Sequence, residues 1–267
     1  MRTRRTRYVW LSCLALHILT AAQGDRSRFD PPFRNELHAP RAGDAQIVQF
    51  LKSHQGPETT GSFALVHGHF LGDGTENVVV ATFWPAQGGE ATVTSLFSKG
   101  TSGWKLEFRH DSLNVAYCRV VPVSSSKDIL LCQTDYVGPT GHLGNGEVDT
   151  HLYTVDFTRD PADTWFLELR DTVRTGARCR SWASLKSVGL AHGSLHVLVE
   201  YGRNQLPPDG KSQAAVQHEG SPSGFPRRLY DLDFEVEPTG LVPAKGSQKD
   251  LDYITARWEA GSCPDGQ

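Results

Sequence analysis

Apolar and polar residues alternate along most of this chain from Gly61 onward, which is the pattern of half-buried β-strands. In residues 104–109, Trp104, Leu106 and Phe108 are predicted to share one face of a strand, and the charged residues between them to share the other. The chain contains 26 glycines and 15 prolines, which suits a domain rich in turns. The pattern therefore predicts a mostly β, antiparallel domain.

The chain before Gly61 follows a different pattern. Residues 25–42 are polar, contain three prolines and predict an extended arm. Ile47 and Leu51 then lie four residues apart, as on one face of a helix, and Asp44 stands where an N-cap is expected. We expect one short N-terminal helix over about 45–54.

The β segments repeat along the chain. The run Trp-Lys-Leu-Glu-Phe-Arg at 104–109 returns as Trp-Phe-Leu-Glu-Leu-Arg at 165–170, and a Cys-Arg pair at 118–119 returns at 179–180. Leu-Tyr-Thr-Val-Asp-Phe at 152–157 returns as Leu-Tyr-Asp-Leu-Asp-Phe at 229–234. Several matches in the same order indicate an internal repeat.

The repeat predicts three units, at about 61–112, 113–174 and 175–245, followed by a C-terminal strand and tail. Each unit is expected to hold four antiparallel strands, A to D. This is typical of a propeller-like fold, and a duplicated β-sandwich is the alternative. The predicted strands are 62–70, 77–84, 91–98 and 103–109; then 115–122, 128–136, 150–157 and 164–170; then 180–188, 194–201, 227–235 and a weak strand near 241–242.

One segment resembles a known family. The run Gly-His-Phe-Leu-Gly-Asp-Gly-Thr-Glu-Asn-Val-Val-Val at 68–80 resembles the FG-GAP or VCBS repeat of β-propellers, whose A–B loop binds calcium through Asp and Asn side chains. The resemblance implies a propeller blade and makes Asp73 and Asn77 the candidate ligands. Because His69 and Leu71 replace two other ligands, and calcium requires 6–8 oxygens, we expect no calcium here.

Three units are fewer than the 4–8 blades that usually close a propeller. Three solutions are open. The arm at 25–42 completes a further blade with a strand at Tyr253–Trp258, the array stays open, or two chains pair.

Residues 1–24 have the three parts of a cleavable secretory signal. Four arginines precede an apolar stretch from Tyr8 to Ala22, and small residues follow. The apolar stretch is shorter than the roughly 20 residues that span a bilayer. We therefore expect cleavage after Ala22 or Gly24 and a secreted or periplasmic protein, with no membrane attachment after cleavage.

The charge of the chain argues against a nucleic-acid partner. The formal net charge is −3, and removal of residues 1–24 takes away four arginines and no acidic residue, so the remaining chain is more acidic still. Such a chain has no basic patch on which a phosphate backbone would be held.

Four cysteines follow the signal, an even number that predicts two disulfides in an oxidising compartment. If strands A and B of the second unit form a hairpin around 123–127, Cys118 lies opposite Cys132, close enough for a disulfide. Cys179 and Cys263 are then left as partners. The rival pairing joins Cys118 to Cys179, which hold equivalent positions in successive units.

No catalytic motif stands out in the sequence. His67 and His69 on strand A, and His192 and His196 around the turn of the third unit, lack an accompanying carboxylate pattern, so we expect neither a metal site nor a cofactor. We interpret the repeated tryptophans, Trp104 and Trp165, as core residues rather than a carbohydrate-stacking pair. We interpret the repeated neighbours Glu107 and Arg109, and Glu168 and Arg170, as structural residues held by neighbouring units or by cross-strand charge pairs.

Two classes of function remain open. The first is an exported, non-enzymatic binding module with an unknown protein or glycan partner. The second is an exported hydrolase or lyase whose catalytic residues the sequence does not reveal. Long Gly-rich B–C connections, at 138–146 and 202–225, place the binding end of the domain at the loops. Two or three carboxylates with a histidine at that end would favour the enzyme.

Overall fold

The computed structural model describes residues 33–54, 61–86, 89–111, 113–137, 146–173, 179–191, 193–205, 227–238 and 240–256. The predicted signal and Cys263 lie outside them. The described chain forms three four-stranded antiparallel sheets and two helices. Sheet 1 contains β1–β4, sheet 2 β5–β8 and sheet 3 β9–β12; sheets 2 and 3 are joined at the single residue pair Thr172 and Ser181.

The elements follow the predicted order. The first helix is α1 (Ala45–His54). The strands are β1 (Ser62–Gly68), β2 (Asn77–Ala86), β3 (Gly89–Gly100), β4 (Gly103–His110), β5 (Cys118–Ser124), β6 (Lys127–Val137), β7 (Gly146–Val155), β8 (Asp163–Val173), β9 (Cys179–Ala191), β10 (Ser194–Gln205), β11 (Arg228–Glu237) and β12 (Gly240–Pro243). The prediction of a mostly β fold of four-stranded repeats with one short N-terminal helix is confirmed.

Two local predictions were wrong. Asp44 does not cap α1; it ends a 3₁₀ turn (Ala42–Asp44) that runs into the helix, and its carboxylate accepts the Arg41 N–H at 2.7 Å. The strand expected at Tyr253–Trp258 is replaced, over its described part, by helix α2 (Gln248–Thr255). Leu251 and Ile254, three residues apart, share one buried helical face, which alternation does not provide. Among the described residues, no helix is long and apolar enough to cross a membrane.

The three sheets stack face to face, in a propeller-like arrangement. Sheet 1 packs on sheet 2 through a core that includes Val79 and Leu130. The opposite face of sheet 2 packs on sheet 3 through a second core, which contains Leu152 and Leu232 and is completed by α2. Ile47 of α1 and its neighbours cover the remaining face of sheet 1.

The face of sheet 3 that points away from sheet 2 differs from the equivalent face of sheet 2, which packs against sheet 3. Leu152 of sheet 2 is fully buried against sheet 3, whereas its repeat equivalent Leu229 is 58% exposed. Asp231 and Glu235 lie on the same open face, and both are exposed. The stack thus begins with a helix and ends with a polar sheet face, as the outer surfaces of terminal repeats do.

The arm contributes a short stretch that contacts two sheets at once. His38 pairs with Leu65 of β1, and Glu36 N–H bonds to the Cys118 carbonyl of β5. The Asn35 side chain accepts the Cys118 N–H and donates to the Ala116 carbonyl. These bonds pair backbone groups at the edges of sheets 1 and 2 that would otherwise lack partners.

Candidate functional site

A β-bulge in β8, the last strand of sheet 2, changes the face of the sheet on which Trp165 lies. Tyr153 of β7 pairs with Trp165 of β8, and Leu152 pairs with Leu167, so Phe166 is an extra residue, a β-bulge. The bulge puts Trp165 and Leu167 on opposite faces of the sheet. A similar bulge at Glu107 in sheet 1 puts Trp104 and Phe108 on opposite faces of the sheet, so these two residues do not share a face as predicted.

Trp165 is not a core residue, contrary to the prediction. It is 53% exposed, and one side of its ring stacks on the buried Tyr153 ring at 4.8 Å and 20°. The His151 ring meets it edge-on, also at 4.8 Å. Trp104, in contrast, is partly buried against the core beneath α1, as expected. Trp165 therefore presents an open aromatic surface on a rigid support.

Four polar side chains continue this surface along the same face of β7 and β8. Register places Glu168 opposite His151 and Arg170 opposite Asp149. Arg170 Nε donates a 2.6 Å hydrogen bond to Glu168 Oε1, and His151 Nε2 lies 3.8 Å from that oxygen. One ligand atom from each of Asp149, His151 and Glu168 falls within 4.8 Å of the others. We call these four residues, with Tyr153 and Trp165, the Trp165 face.

The four polar side chains of this face lie towards the end of sheet 2 that adjoins the predicted B–C loop. Asp149 and His151 lie near the start of β7, which follows the B–C connection at 138–145. Glu168 and Arg170 lie towards the end of β8, which leads into the connection to sheet 3. The polar part of this face therefore adjoins the end of the sheet where these connections emerge, while Tyr153 and Trp165 lie towards the opposite end, beside the β7–β8 connection.

The electrostatics of the face keep His151 neutral near neutral pH. Burial lowers the pKa of His151, and nearby Arg170 lowers it too, while Glu168 opposes the shift. Burial also raises the pKa of the Tyr153 hydroxyl, which donates to the Asn114 carbonyl. At the ring edge, Trp165 Nε1 donates to Asp163 Oδ2 at 2.7 Å. The face thus offers a neutral imidazole, carboxylate acceptors and guanidinium donors around one indole.

A divalent metal does not fit the Trp165 face well. Although Asp149, His151 and Glu168 converge, the guanidinium of Arg170 already pairs with Glu168. A metal bound there would meet a fixed positive charge next to one of its ligands. The arrangement is therefore better suited to hydrogen bonding with a neutral ligand.

The calcium candidates in the A–B loop of the first unit are used by the loop itself. Asp73 Oδ1 accepts the Thr75 N–H at 2.8 Å, a bond that lowers the pKa of Asp73. Asn77 is buried, and its Oδ1 accepts the Leu71 N–H at 3.0 Å. Asp128 of the next unit accepts the His69 N–H at 2.7 Å. The loop is held by backbone hydrogen bonds to these side chains.

The histidine pair of the first unit does not form a common site. His67 Nε2 lies 3.0 Å from Asp44, and its Nδ1 lies 3.4 Å from Glu76. His69 Nδ1 instead lies 3.3 Å from Asp128 of sheet 2. The two side chains have different carboxylate partners, so they do not act as joint ligands. His192 lies outside the described residues.

The disulfide between Cys118 and Cys132 is present, as predicted. The two residues are register partners on β5 and β6, with Pro122 opposite Asp128 further along, as the predicted hairpin requires. The S–S distance is 1.97 Å and the Cα–Cα distance 4.1 Å. The rival pairing of Cys118 with Cys179 is thereby wrong. The pairing of Cys179 with Cys263 remains a prediction.

Comparison of the chain with family models, with curated proteins and with solved structures finds no match. Sequence patterns do not predict the Trp165 face, because its residues come from two strands and a bulge changes the alternation of one of them. The only sequence signal was the repeated Trp-x-x-Glu-x-Arg pattern, which is found at both Trp104 and Trp165.

Proposed function

We propose that this protein is a carbohydrate-binding module and that the Trp165 face is its binding site. The observation that carries the proposal is the half-exposed Trp165 ring, stacked on Tyr153 and bordered by His151, Glu168 and Arg170. A tryptophan ring contributes a large apolar area when a ligand covers it, so the exposed Trp165 ring on its Tyr153 support offers a binding surface.

Carbohydrate suits this face better than a protein surface does. A sugar ring has an apolar C–H side that can lie flat on an indole, and hydroxyl groups at its rim that both donate and accept hydrogen bonds. Arg170 supplies donors, and Glu168 supplies acceptors. His151, as a neutral imidazole, supplies either. A protein partner would require a far larger area, roughly 800 Å² on each side.

The test is a binding measurement with matched tryptophan variants. Purified protein is screened on a broad oligosaccharide array, and hits are titrated by calorimetry and tryptophan fluorescence. We expect Trp165→Ala to abolish binding and Trp104→Ala, at the equivalent repeat position, to retain it. Absence of any oligosaccharide ligand, or equal binding by Trp165→Ala and the unmodified protein, would refute the proposal.

A hydrolase or lyase is the second candidate, and a specific observation favours it. Asp149, His151 and Glu168 form a carboxylate–histidine cluster near the loop end, and the lowered pKa of His151 suits a general base at neutral pH. In this reading, Arg170 orients Glu168 through their hydrogen bond. The test is turnover of any oligosaccharide that binds. His151→Gln and Glu168→Gln should then abolish turnover while Trp165→Ala mainly weakens binding; stable, unchanged oligosaccharide would exclude this candidate.

We also propose that the protein is exported. The signal-like residues 1–24 support this proposal, and so does the Cys118–Cys132 disulfide, since disulfides persist mainly in oxidising compartments. Mass spectrometry of protein recovered outside the cytoplasm should find an N-terminus at Gln23 or Asp25. Soluble protein that retains Met1 would contradict the proposal.

The relation to FG-GAP or VCBS repeats is likewise a proposal. It is supported by the stacked four-stranded units and by the loop at 68–80, without implying calcium binding. Calcium should leave the melting temperature unchanged. A calcium-dependent rise that Asp73→Ala removes would show that the loop binds the ion after all.

A further inference from the structure

The open face of sheet 3 brings together a histidine and two carboxylates from distant parts of the chain. His196 of β10 is the register partner of Asp233 on β11, and its Nδ1 lies 2.5 Å from Asp233 Oδ1. Asp231 lies two residues earlier on the same face of β11. One ligand atom from each of the three residues falls within 4.8 Å of the others. All three side chains are accessible to solvent on a rigid sheet.

In the preceding unit a lysine balances the equivalent aspartate, whereas the third unit has no such lysine beside Asp233 among its described residues. Asp156, the equivalent of Asp233, is paired with Lys127 at 2.7 Å. Lys127 is the first residue of β6, and the first residue of β10 is Ser194. At the position of Thr154, the third unit has a second carboxylate, Asp231. The third unit has therefore replaced a lysine-balanced aspartate by two aspartates beside a histidine.

Space is available around the cluster. Gly189 of β9 is the register partner of His196, and a Cβ atom placed there would have no neighbour within 4 Å. Outside this cluster, the Asp231 carboxylate has no ion-pair partner among the described residues. A cation would relieve the repulsion between the two converging carboxylates.

We propose that His196, Asp231 and Asp233 bind a divalent transition-metal ion of the zinc type. An imidazole nitrogen with two carboxylate oxygens is a donor set that suits such ions, whereas calcium and magnesium prefer oxygen ligands alone. Three protein ligands leave at least one coordination position open to water. This site is separate from the Trp165 face, so it stands or falls independently of carbohydrate binding.

The test is a Zn²⁺ titration of metal-free protein by calorimetry, with variants that separate the two clusters. We expect His196→Gln and Asp231→Asn each to lose one equivalent of bound Zn²⁺ relative to the unmodified protein. His151→Gln, which alters the other histidine–carboxylate cluster, should keep that equivalent. Asp231 is exposed, so Asp231→Asn should melt like the unmodified protein without metal and carries the test even if His196→Gln misfolds.

Several outcomes would overturn the proposal. They are the absence of saturable Zn²⁺ binding, unchanged stoichiometry and affinity in Asp231→Asn, or loss of the equivalent in His151→Gln instead. As a second readout, Zn²⁺ should raise the melting temperature of the unmodified protein, because it binds the native state, and this rise should disappear in Asp231→Asn. Calcium at the same concentration should give no rise.

Discussion

The rings of Tyr153 and Trp165 stack at 4.8 Å, one of them buried and the other half exposed. Removing each ring should therefore have different effects on stability. Tyr153→Ala opens a cavity in the core between sheets 1 and 2 and should cost about 3–4 kcal/mol. Trp165→Ala removes a ring that water already reaches and should cost only about 1 kcal/mol. Urea unfolding of both variants tests this, and equal losses would show that Trp165 acts mainly as a structural residue.

The Cys118–Cys132 disulfide should contribute measurably to stability. It closes a loop with a sequence separation of 14 residues, for which the chain-entropy model gives about 3 kcal/mol. The double variant Cys118→Ala/Cys132→Ala should lose approximately that much free energy of unfolding. The unmodified protein unfolded in the presence of a reductant should lose at least as much, because the reductant also opens the predicted Cys179–Cys263 bond. A double variant as stable as the disulfide-bonded protein would contradict the prediction.

The remaining two cysteines are predicted to form a second bond. Because Cys118 and Cys132 pair with each other, Cys179 can pair only with Cys263 within one mature chain. Peptide mapping without reduction should recover a peptide that links 179 to 263. Two alkylatable thiols in exported protein would show that this bond does not form.

Stability should decrease in mild acid because of His151. Burial lowers the pKa of His151 below its ordinary value of 6.5, so the unfolded chain binds the proton more readily than the folded one. The free energy of unfolding should therefore fall as the pH drops below about 6.5, and His151 should make no contribution above that range. His151→Gln should make the pH dependence shallower between neutral pH and pH 5. An unchanged slope in His151→Gln would contradict the prediction.

The ion pair between Lys127 and Asp156 should be much more important than a surface pair. Burial alone would raise the pKa of Asp156, but hydrogen bonds from Lys127 and Thr158 more than reverse this and lower it. Lys127→Met would leave the buried Asp156 carboxylate without its partner and should cost about 3 kcal/mol.

Lys99→Met supplies the matched control for that prediction. Lys99 pairs with Glu76 at 2.6 Å, but both side chains are exposed, so the loss should stay below about 1 kcal/mol. Chemical unfolding at neutral pH compares the two variants. Similar losses would mean that burial adds little to the Lys127 pair.

Alternation and turn residues were sufficient to predict most of the fold. The register that places Cys118 opposite Cys132 follows from counting back from one short hairpin, because opposed positions in antiparallel strands are fixed by the turn. Even the short strand β12 was indicated by Leu241 and Val242. These features depend on neighbours in sequence, which is why sequence patterns contain them.

The candidate sites depend on relationships that sequence patterns do not contain. The bulges at Glu107 and Phe166 carry no glycine or proline, yet each reverses the alternation of its strand. His196 and Asp233 are separated by 37 residues, and only the pairing of β10 with β11 brings them together. Sequence patterns did not predict helix α2, because the helix is short and lies beside a segment in which apolar and polar residues alternate.

The short stretch at 33–38 has a consequence for the order of events during synthesis. Its hydrogen-bond partners in sheet 2 lie far along the chain: Asn35 bonds to Ala116, 81 residues later, and Glu36 to Val120, 84 residues later. These contacts with sheet 2 cannot form until more than eighty further residues have been made, and contacts of this range are slow to form. Although the stretch leaves the ribosome before the strands that it joins, it reaches its final position only after β5 has emerged.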